Sequence, residues 1–298
     1  MNALKSISKY EIIINPYAGR GKSRVALSMI KHELNMNSIY YSVYETMYPG
    51  HAKIIAKQIT TAKTINHVII VIGGDGTINE VINGIEDFSN VFIGIIPAGT
   101  GNDLAKMLNI PEDYKDAIQL ILKSNYMSID MAVINDSINM ALFLSCGIAI
   151  DIINDCKKNK NKTKKSYVNA LLKKFWLYNP HEYTISINEH TYHFLADAVN
   201  VQNAIYAGGG LELCNMAEVD DGVMDLVIVE YKGLFRRLLN IIALLRKDLL
   251  SQNNVCHFVT NKISVIFDMD QVYCIDGELN QNTSVNLNVI SKTINVFV

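Results

Sequence analysis

The sequence has little of three features that mark common protein classes. Its five cysteines are an odd number, and no two form a C-x-x-C pair, so we expect a reduced, intracellular protein without a disulfide framework or a zinc knuckle. No apolar run approaches the roughly 18 residues of a membrane span, and residues 1–16 lack the apolar stretch of a signal peptide. Lys and Arg number 27 against 29 Asp and Glu, so there is no basic excess to favour nucleic-acid binding.

The sequence does contain alternating strand and helix patterns. The 298 residues favour two domains over one. Up to about residue 128, short apolar strands alternate with helices, which predicts an open parallel sheet with helices on both faces. The predicted strands are residues 10–14, 38–44, 68–72 and 91–96, and the predicted helices are 22–34, 51–61, 78–85, 103–108 and 114–122.

After residue 128 the pattern changes to strands bounded by Asn, Asp and Gly. We expect strands at 128–134, 139–146, 183–187, 193–201, 224–229, 262–267, 271–275, 285–289 and 293–298, and helices at 166–178 and 234–250. The predicted architecture is therefore an α/β domain at 1–128 and a mainly antiparallel β-sandwich domain at 129–298. A strand near 290–298 is a candidate to return to the first domain.

A glycine-rich loop, Gly73-Gly74-Asp75-Gly76-Thr77, follows the third predicted strand. Glycines let a backbone turn sharply and approach a ligand closely, and the start of the next helix offers N–H groups to an anion. Thr77 and Glu80 have the spacing of a capping box. The alternative is a strand-to-helix turn without a ligand, but it leaves Asp75 unexplained. A carboxylate beside a phosphate needs a cation between them, so Asp75 predicts Mg²⁺ or a sugar hydroxyl.

Two more glycine loops follow apolar strands, at residues 15–23 and 97–103. Neither known phosphate-binding pattern is complete, since Asn79 replaces the third glycine of a Rossmann fingerprint and Pro16 replaces the first glycine of a P-loop. Loops after parallel strands gather at the carboxyl edge of one sheet, where open α/β sheets bind ligands. Together the three loops predict a site for a nucleoside triphosphate.

These motifs resemble those of the diacylglycerol kinase catalytic family, which includes bacterial lipid kinases, sphingosine kinases and ceramide kinases. The motifs are N-P-x-x-G at 15–19, G-G-D-G-T-x-N-E at 73–80 and P-x-G-T-x-N-D at 97–103. Further matches follow in the family's order: Y-A-G-G-G at 206–210, D-D-G-V-M-D at 220–225 and I-D-G-E at 275–278. The resemblance covers nearly the whole chain.

The resemblance implies a two-domain kinase with its nucleotide in the cleft between the α/β domain and the β-sandwich domain. Carried over position by position, it assigns ATP binding to Asn15, Pro16, Tyr17, Ala18, Gly19, Thr46, Gly74, Asp75, Gly76, Thr77, Ile78, Asn79, Glu80 and Thr100. Without the resemblance, we would interpret Thr46 as a threonine in an ordinary turn. The resemblance also implies a cytoplasmic protein, peripheral at the inner face of the membrane. The resemblance further implies that the protein uses ATP with Mg²⁺ and binds a lipid substrate at that surface. Whether it forms a homo-oligomer stays open.

Asp276-Gly277-Glu278 follows a predicted strand. On an extended chain both carboxylates would point to the same face, with Gly277 leaving room for a ligand. Phosphoryl transfer to an alcohol needs a group that accepts the hydroxyl proton. The resemblance assigns that base to Glu278 and places Asp276 close to the same catalytic site. The alternative is an acidic hairpin turn, for which D-G is a common signal.

A second acidic turn lies at residues 218–223. Similar bacterial members carry a structural Mg²⁺ there, bound partly through main-chain carbonyls, which implies metal ligands at Glu218, Asp221 and Val223, in addition to Asp75 in the glycine loop. The alternative is a solvated D-G turn. Asn215 stands where similar proteins often have proline.

Two segments could face a membrane. Residues 157–165 contain six lysines and precede the predicted helix 166–178, which carries the one tryptophan, Trp176. A lysine cluster beside an aromatic-bearing helix suits an anionic lipid surface. A solvated loop explains the lysines equally well, and for the helix we favour packing against its own domain, because most apolar stripes belong to a core. The segment 234–250 is either a wall for acyl chains or part of the core.

The sequence thus predicts an ATP- and Mg²⁺-dependent lipid kinase, with diacylglycerol as the default substrate and phosphatidic acid as the product. Phosphatidylglycerol, ceramide, a sphingoid base and undecaprenol-like alcohols stay open. The nearest alternative is an NAD kinase, which shares G-G-D-G-T. A phosphofructokinase shares G-G-D-G but fits the β-rich second half poorly. A non-catalytic nucleotide- or lipid-binding protein of the same fold is the alternative from another class.

Overall fold

The structure is a computed structural model that describes residues 9–62, 66–148, 150–151, 172, 174–207 and 210–298. The chain divides into two compact units. Unit 1 comprises Met1–Ile129 together with Lys292–Val298, and unit 2 comprises Asp130–Ser291. The expected boundary lay at residue 128, one residue from the observed one. The final segment of the chain belongs to unit 1.

Unit 1 alternates strands and helices. Its elements are β1 (Tyr10–Ile14), α1 (Lys22–Met36), β2 (Tyr41–Glu45), α2 (His51–Thr60), β3 (His67–Gly73), α3 (Asp75–Ile82), β4 (Val91–Pro97), α4 (Asp103–Met107), α5 (Tyr114–Lys123) and the start of β5 (Tyr126–Ile134). A short 3₁₀ turn, Ala18–Gly21, precedes α1.

The sheet of unit 1 has the order β2-β1-β3-β4, with the end of the chain's last strand beside β4. Each of these neighbouring pairs is parallel. All seven residues of β3 and all seven of β4 are buried, as expected for parallel strands that helices cover on both faces. The carboxyl ends of β1, β3 and β4 therefore lie at one edge, and the three glycine loops leave the sheet there.

Unit 2 consists mainly of strands. Its elements are β6 (Ile138–Met140), β7 (Phe143–Gly147), β8 (His181–Ile187), β9 (His190–Gln202), β10 (Tyr206–Ala207), β11 (Leu211–Glu212), β12 (Met224–Glu230), α6 (Leu234–Leu245), β13 (Val255–Thr260), β14 (Lys262–Ile275) and most of β15 (Glu278–Phe297). The last part of β15 lies in unit 1.

The sheet of unit 2 is antiparallel and barrel-like. The long strands β9 and β14 each pair with both β7 and β8, so these four strands form a closed ring. β12 continues the sheet from β9, and β13 pairs with β12. Side chains from these strands form one apolar core that includes Leu144, Tyr183, Val199, Leu226 and Val265. The molecule is thus a mixed α/β protein whose C-terminal domain resembles a β-sandwich.

Several element predictions were wrong in detail in the second half. The strand predicted at 139–146 is split into β6 and β7, and the helix predicted at 234–250 ends at Leu245. The strands predicted at 262–267 and 271–275 are one strand, β14, whose register shifts between Ile266 and Gln271. The last two predicted strands are likewise one strand, and β13 was not predicted. Local patterns do not record strand partners, which decide these boundaries.

The lysine segment 157–165 and most of the predicted helix 166–178 lie outside the described residues. At the end of that helix, Phe175 and Tyr178 are buried while Trp176 and Leu177 are exposed. None of the helices in the described part of the chain has the length and hydropathy needed to cross a bilayer.

Candidate functional site

The three glycine loops of unit 1 contact one another through their backbones. A Cβ atom added to Gly74 would lie 2.9 Å from the Cα atom of Gly99, and one added to Gly99 would lie 2.7 Å from Oδ1 of Asn102. A Cβ on Gly19 would overlap the carbonyl oxygen of Ala98. Because no side chain fits at these contacts, the glycines are required for the loops to converge. The prediction that they gather at one sheet edge is confirmed.

Backbone hydrogen bonds fix where each loop leaves the sheet. The N–H of Asn15 donates to the carbonyl of Ile72 at 3.0 Å, and the N–H of Ala98 donates to that of Gly73 at 2.8 Å. The N–H of Thr46 donates to the carbonyl of Ile14 at 2.9 Å. Thr46 is buried and brings the segment after β2 to the same edge as the glycine loops.

The predicted capping box is wrong. Helix α3 begins at Asp75, with Gly74 as its N-cap and no side-chain cap, so Thr77 already lies inside the first turn. The carboxylate of Glu80 instead accepts hydrogen bonds from the N–H groups of Gly50 at 2.8 Å and Ala52 at 3.0 Å. Glu80 therefore satisfies amide groups at the start of α2, which are orphaned in every helix. It anchors the segment after β2 and does not cap its own helix.

Asp75 lies in the first turn of α3 and is half-buried. Its Oδ1 accepts a hydrogen bond of 3.4 Å from the N–H of Leu104, at the start of α4. Asn102, the residue before α4, has a positive φ of 52°. Its side chain accepts a hydrogen bond from the N–H of Gly99 at 2.9 Å and donates one to the carbonyl of Gly99 at 3.2 Å. The second and third loops are thus held together by side chains as well as by close packing.

The remaining residues expected to bind nucleotide differ in exposure. Tyr17, Gly76 and Thr100 are exposed, whereas Pro16 is buried. Ile78 is 3% exposed and belongs to the core, so only its backbone could contact a ligand. Thr77 is buried, and its Oγ1 accepts a hydrogen bond of 3.4 Å from Nδ2 of Asn15. This bond joins the first loop to the start of α3.

Asp276 and Gly277 form a tight hairpin turn in unit 2. Ile275 pairs with Glu278 across it, and φ is positive at both turn residues, 48° and 93°. Two-residue hairpins of this kind favour D-G because both positions need a positive φ. The expectation of an extended segment with both carboxylates on one face was therefore wrong, and the hairpin alternative is the observed one.

The two acids of this turn have different environments. Asp276 is buried, and its carboxylate accepts hydrogen bonds from the N–H groups of Ala141, Leu142 and Phe143 at 2.8 to 2.9 Å. This environment is that of a residue that positions the backbone, and the predicted place of Asp276 in the catalytic site stays a prediction. Those three amides lie where the strand predicted at 139–146 is interrupted. Glu278 is exposed at the first position of β15.

Asp130, which no sequence motif singled out, organises the acidic turn at 218–223. It is fully buried, its Oδ2 accepts from the N–H of Gly222 at 2.6 Å, and its own N–H donates to the carbonyl of Val219 at 2.6 Å. Gly222 belongs to the D-D-G-V-M-D motif, but Asp130 lies 92 residues earlier and outside any motif, so the sequence alone did not indicate this contact.

Three carboxylates meet at this turn. Oδ1 of Asp221 accepts from the N–H of Val223 at 3.1 Å, while Glu218 is exposed. Partial burial raises the pKa of Asp221 above its ordinary value, and the carboxylates of Asp130 and Asp225 raise it further. A carboxyl group that is partly buried near other carboxylates favours either a proton or a bound cation.

The fold and these motifs define the family. The chain matches the diacylglycerol kinase catalytic domain over residues 9–134 and the YegS C-terminal NAD kinase beta sandwich-like domain over residues 146–298. The protein belongs to the diacylglycerol kinase family.

Named relatives agree with that assignment. A Bacillus subtilis protein called "Putative lipid kinase YtlR" is 26% identical over 250 residues, which cover 78% of this chain and 80% of the relative. A Staphylococcus aureus protein called "Putative lipid kinase" is 28% identical over 254 residues, covering 80% and 81%. A crystal structure of a "putative diacylglycerol kinase" from Bacillus anthracis has the same fold, with a TM-score of 0.83, 22% identity and coverage of 100% and 97%.

Proposed function

We propose that the protein transfers the γ-phosphate of ATP to the hydroxyl group of a membrane lipid, with diacylglycerol as the substrate and phosphatidic acid as the product. The observation that carries the proposal is the backbone-to-backbone convergence of the three glycine loops at the carboxyl edge of the unit 1 sheet. Such an edge binds nucleotides in open α/β sheets. Membership in a lipid kinase family supports the choice of acceptor.

The phosphates would contact the loops through backbone N–H groups. The first amides of α3 follow Gly74 and precede the first intrahelical hydrogen bond, from Thr77 to Gly74, and a helix start of this kind attracts anions. Tyr17, Gly76 and Thr100 are exposed at the same loops. Asn15 and Glu80 would hold the loops in place through their bonds to Thr77, Gly50 and Ala52.

We assign Mg²⁺ to Asp75, because a half-buried carboxylate at a phosphate-binding helix start fits a hard cation with oxygen ligands. When bound, the ion would neutralise charge on the phosphates. Glu80 is a poor ligand, since both of its carboxylate oxygens accept backbone hydrogen bonds. A second, structural Mg²⁺ at Glu218, Asp221 and Val223 is supported by the carboxylates of Asp130 and Asp221, which both accept backbone hydrogen bonds at that turn.

Glu278 is the proposed general base. It is the exposed acid of the turn, whereas the carboxylate of Asp276 is occupied by three backbone amides. Asp276 would act as a positioning residue that fixes the hairpin and hence the side chain beside it. A positioned base of this kind contributes about 10²–10⁴-fold to a proton-transfer step.

Helix α6 offers a surface for peripheral contact with the membrane. Its buried face is anchored by Arg237, whose guanidinium bonds both carboxylate oxygens of Asp197 at 2.6 and 3.1 Å. The opposite face exposes an apolar stripe: Leu234, Phe235, Leu238, Ile242 and Leu245. An apolar helix face beside cations such as Arg246 is typical of contact with an anionic lipid surface. Contact through the lysines of 157–165 stays a prediction.

The test of the proposal is an acceptor screen. The purified full-length protein would be incubated with γ-labelled ATP and Mg²⁺ against vesicles that contain diacylglycerol, phosphatidylglycerol, ceramide, a sphingoid base or undecaprenol, and separately against NAD. Product mass identifies the acceptor. We expect labelled phosphatidic acid, and we expect EDTA to abolish it.

The screen also separates the alternatives. The shared G-G-D-G-T motif and the NAD kinase likeness of residues 146–298 make NAD the informative second acceptor. Labelled NADP without labelled lipid would replace the lipid kinase by an NAD kinase. ATP binding without transfer to any acceptor would indicate a non-catalytic protein of this fold.

A further inference from the structure

A thiol, a carboxylate and an imidazole meet in unit 2, away from the residues assigned to the kinase reaction. Strands β12 and β13 are antiparallel neighbours in which Val227 pairs with His257 and Asp225 pairs with Val259. Because side chains alternate along a strand, Asp225 and His257 point to the same face as diagonal neighbours. His257 Nε2 lies 2.6 Å from Oδ1 of Asp225.

Cys214 completes the group from the segment after β11. Its side chain is fully buried, and its Sγ lies 4.0 Å from His257 Nε2. The sulfur, the carboxylate oxygen and the ring nitrogen all lie within 4.8 Å of one another. The sheet thus presents an oxygen and a nitrogen ligand, and a separate segment brings a sulfur ligand to them.

We propose that Cys214, Asp225 and His257 bind a divalent transition-metal ion of the Zn²⁺ type. Thiolate and imidazole ligands select such an ion over Mg²⁺, which prefers oxygen ligands alone. The site is therefore separate in chemistry from the turn formed by Glu218, Asp221 and Val223. Three protein ligands leave one position of a tetrahedral ion for water or a further ligand.

Binding requires a small rearrangement and the loss of a proton. Zn²⁺ lies about 2.3 Å from sulfur and about 2.0–2.2 Å from nitrogen and oxygen, so the metal would replace the hydrogen bond between His257 and Asp225 and widen their 2.6 Å separation. The thiol of Cys214 would release its proton as the sulfur–metal bond forms, and Nε2 of His257 would bind the metal through its lone pair, with the ring proton on Nδ1.

The position of Cys214, Asp225 and His257 in the sheet determines how an ion reaches them and which segments it would hold together. The side chain of His257 is 22% exposed, and it lies on β13, which among the described strands pairs only with β12. An ion can therefore enter from the side of His257. Once bound, it would tie the segment after β11 to the paired strands β12 and β13.

Cobalt titration of the full-length protein tests the site directly, because Co²⁺ bound to thiolate has a near-ultraviolet charge-transfer band that is independent of kinase activity. We expect one equivalent of Co²⁺ to produce this band together with the visible bands of a tetrahedral ion, and Zn²⁺ to remove both. Cys214→Ser should abolish the charge-transfer band. His257→Gln should weaken binding by at least tenfold.

Cys256→Ser is the matched control. Cys256 is the neighbour of His257 on β13, and its thiol lies 3.3 Å from Oε1 of Glu230, so this variant should keep the band. A folded wild-type protein without the band at saturating Co²⁺ overturns the proposal, as does a band that survives Cys214→Ser. Because Cys214 is buried, thermal unfolding checks that each variant is folded. If Cys214→Ser is not folded, the test rests on His257→Gln, because the side chain of His257 is partly exposed. Unchanged Co²⁺ affinity in that variant overturns the proposal.

Discussion

Glycine serves two different purposes in the two units. In unit 1, Gly74 and Gly99 have ordinary φ angles, but each lies against the other's backbone, where a Cβ has no room. In unit 2, Gly277 has open space around its Cα, but its φ is 93°. The first pair is needed for close packing between loops, and the second glycine is needed for the geometry of a turn.

The difference matters because the two regions have different tasks. In the proposed function the glycine loops bring three backbones together around phosphates, so their defining property is the absence of side chains. The turn at Asp276 and Gly277 must present the side chain that follows it, so its defining property is a fixed backbone. Substitutions in the two regions should therefore affect different measurable quantities.

The largest effect is expected for Glu278→Gln, which removes the proposed base and keeps the size of the side chain. Turnover should fall by about 10²–10⁴-fold, while ATP affinity and the thermal midpoint stay unchanged. Steady-state kinetics and equilibrium binding of a fluorescent ATP analogue measure the two separately. Glu189→Gln, in the exposed hairpin turn between β8 and β9, is the control and should behave as wild type. Near wild-type turnover in Glu278→Gln would refute the base assignment.

Asp276→Asn should chiefly lower stability. The substitution replaces one acceptor oxygen by an NH₂ group facing backbone N–H donors, and a lost hydrogen bond to a buried charge costs about 1.5–3 kcal/mol. We expect the free energy of unfolding to fall by about 3 kcal/mol in urea titrations, with turnover per folded molecule reduced far less than in Glu278→Gln. Asp270→Asn, on strand β14 that leads into this turn and with an exposed hydrogen bond from Gln281, is the control. If stability is retained while turnover is lost, Asp276 acts in the reaction itself.

Gly99→Ala tests the packing role of glycine in unit 1. The added methyl group meets backbone atoms that cannot rotate away, so the second and third loops must separate. Overpacking of this kind costs about 1–3 kcal/mol, and we expect ATP affinity to fall by more than tenfold. Isothermal titration with a non-hydrolysable ATP analogue measures it. Unchanged affinity would mean that phosphates do not contact these loops.

Gly277→Ala should have the smallest effect and completes the comparison. No atom obstructs the methyl group, so only the positive φ is penalised, by about 1–2 kcal/mol. ATP affinity should stay unchanged, and Gly277→Asn should recover part of the stability because Asn tolerates a positive φ. Equal losses for Ala and Asn would point to a steric cause and would remove the distinction between the two glycines.

The sequence predicted unit 1 more accurately than unit 2 for a physical reason. β1 has the predicted bounds, and β3 and β4 differ from prediction by one or two residues at their ends, because completely buried strands between glycine loops have a strong local pattern. The convergence of the loops followed from topology alone. The roles of Glu80, Asp130 and Asp276 could not be predicted, since each accepts hydrogen bonds from backbone amides 28 to 135 residues away.

The errors in unit 2 have the same origin. The strand is interrupted between β6 and β7, where backbone N–H groups donate to the carboxylate of Asp276. Asp276 is far from these residues in the sequence. D-G at 276–277 correctly signals a hairpin, whereas the extended alternative continued the preceding strand through these residues, and the local turn signal was the better guide. Side chains that satisfy distant backbone groups leave no periodic trace, so sequence patterns miss them.

The path of β15 has a consequence for synthesis on the ribosome. Asn295 and Val296 pair with Phe92 and Ile93 of β4, and Asn295 also donates to the carbonyl of Val91 at 3.1 Å. Roughly 200 residues separate these partners, which ribosomes add at about 5–20 residues per second. For some ten to forty seconds, therefore, the nascent α/β domain has an open hydrogen-bonding edge at β4. That edge is the part of the chain most exposed to pairing with another nascent chain, and chaperones would have to protect it until the last strand arrives.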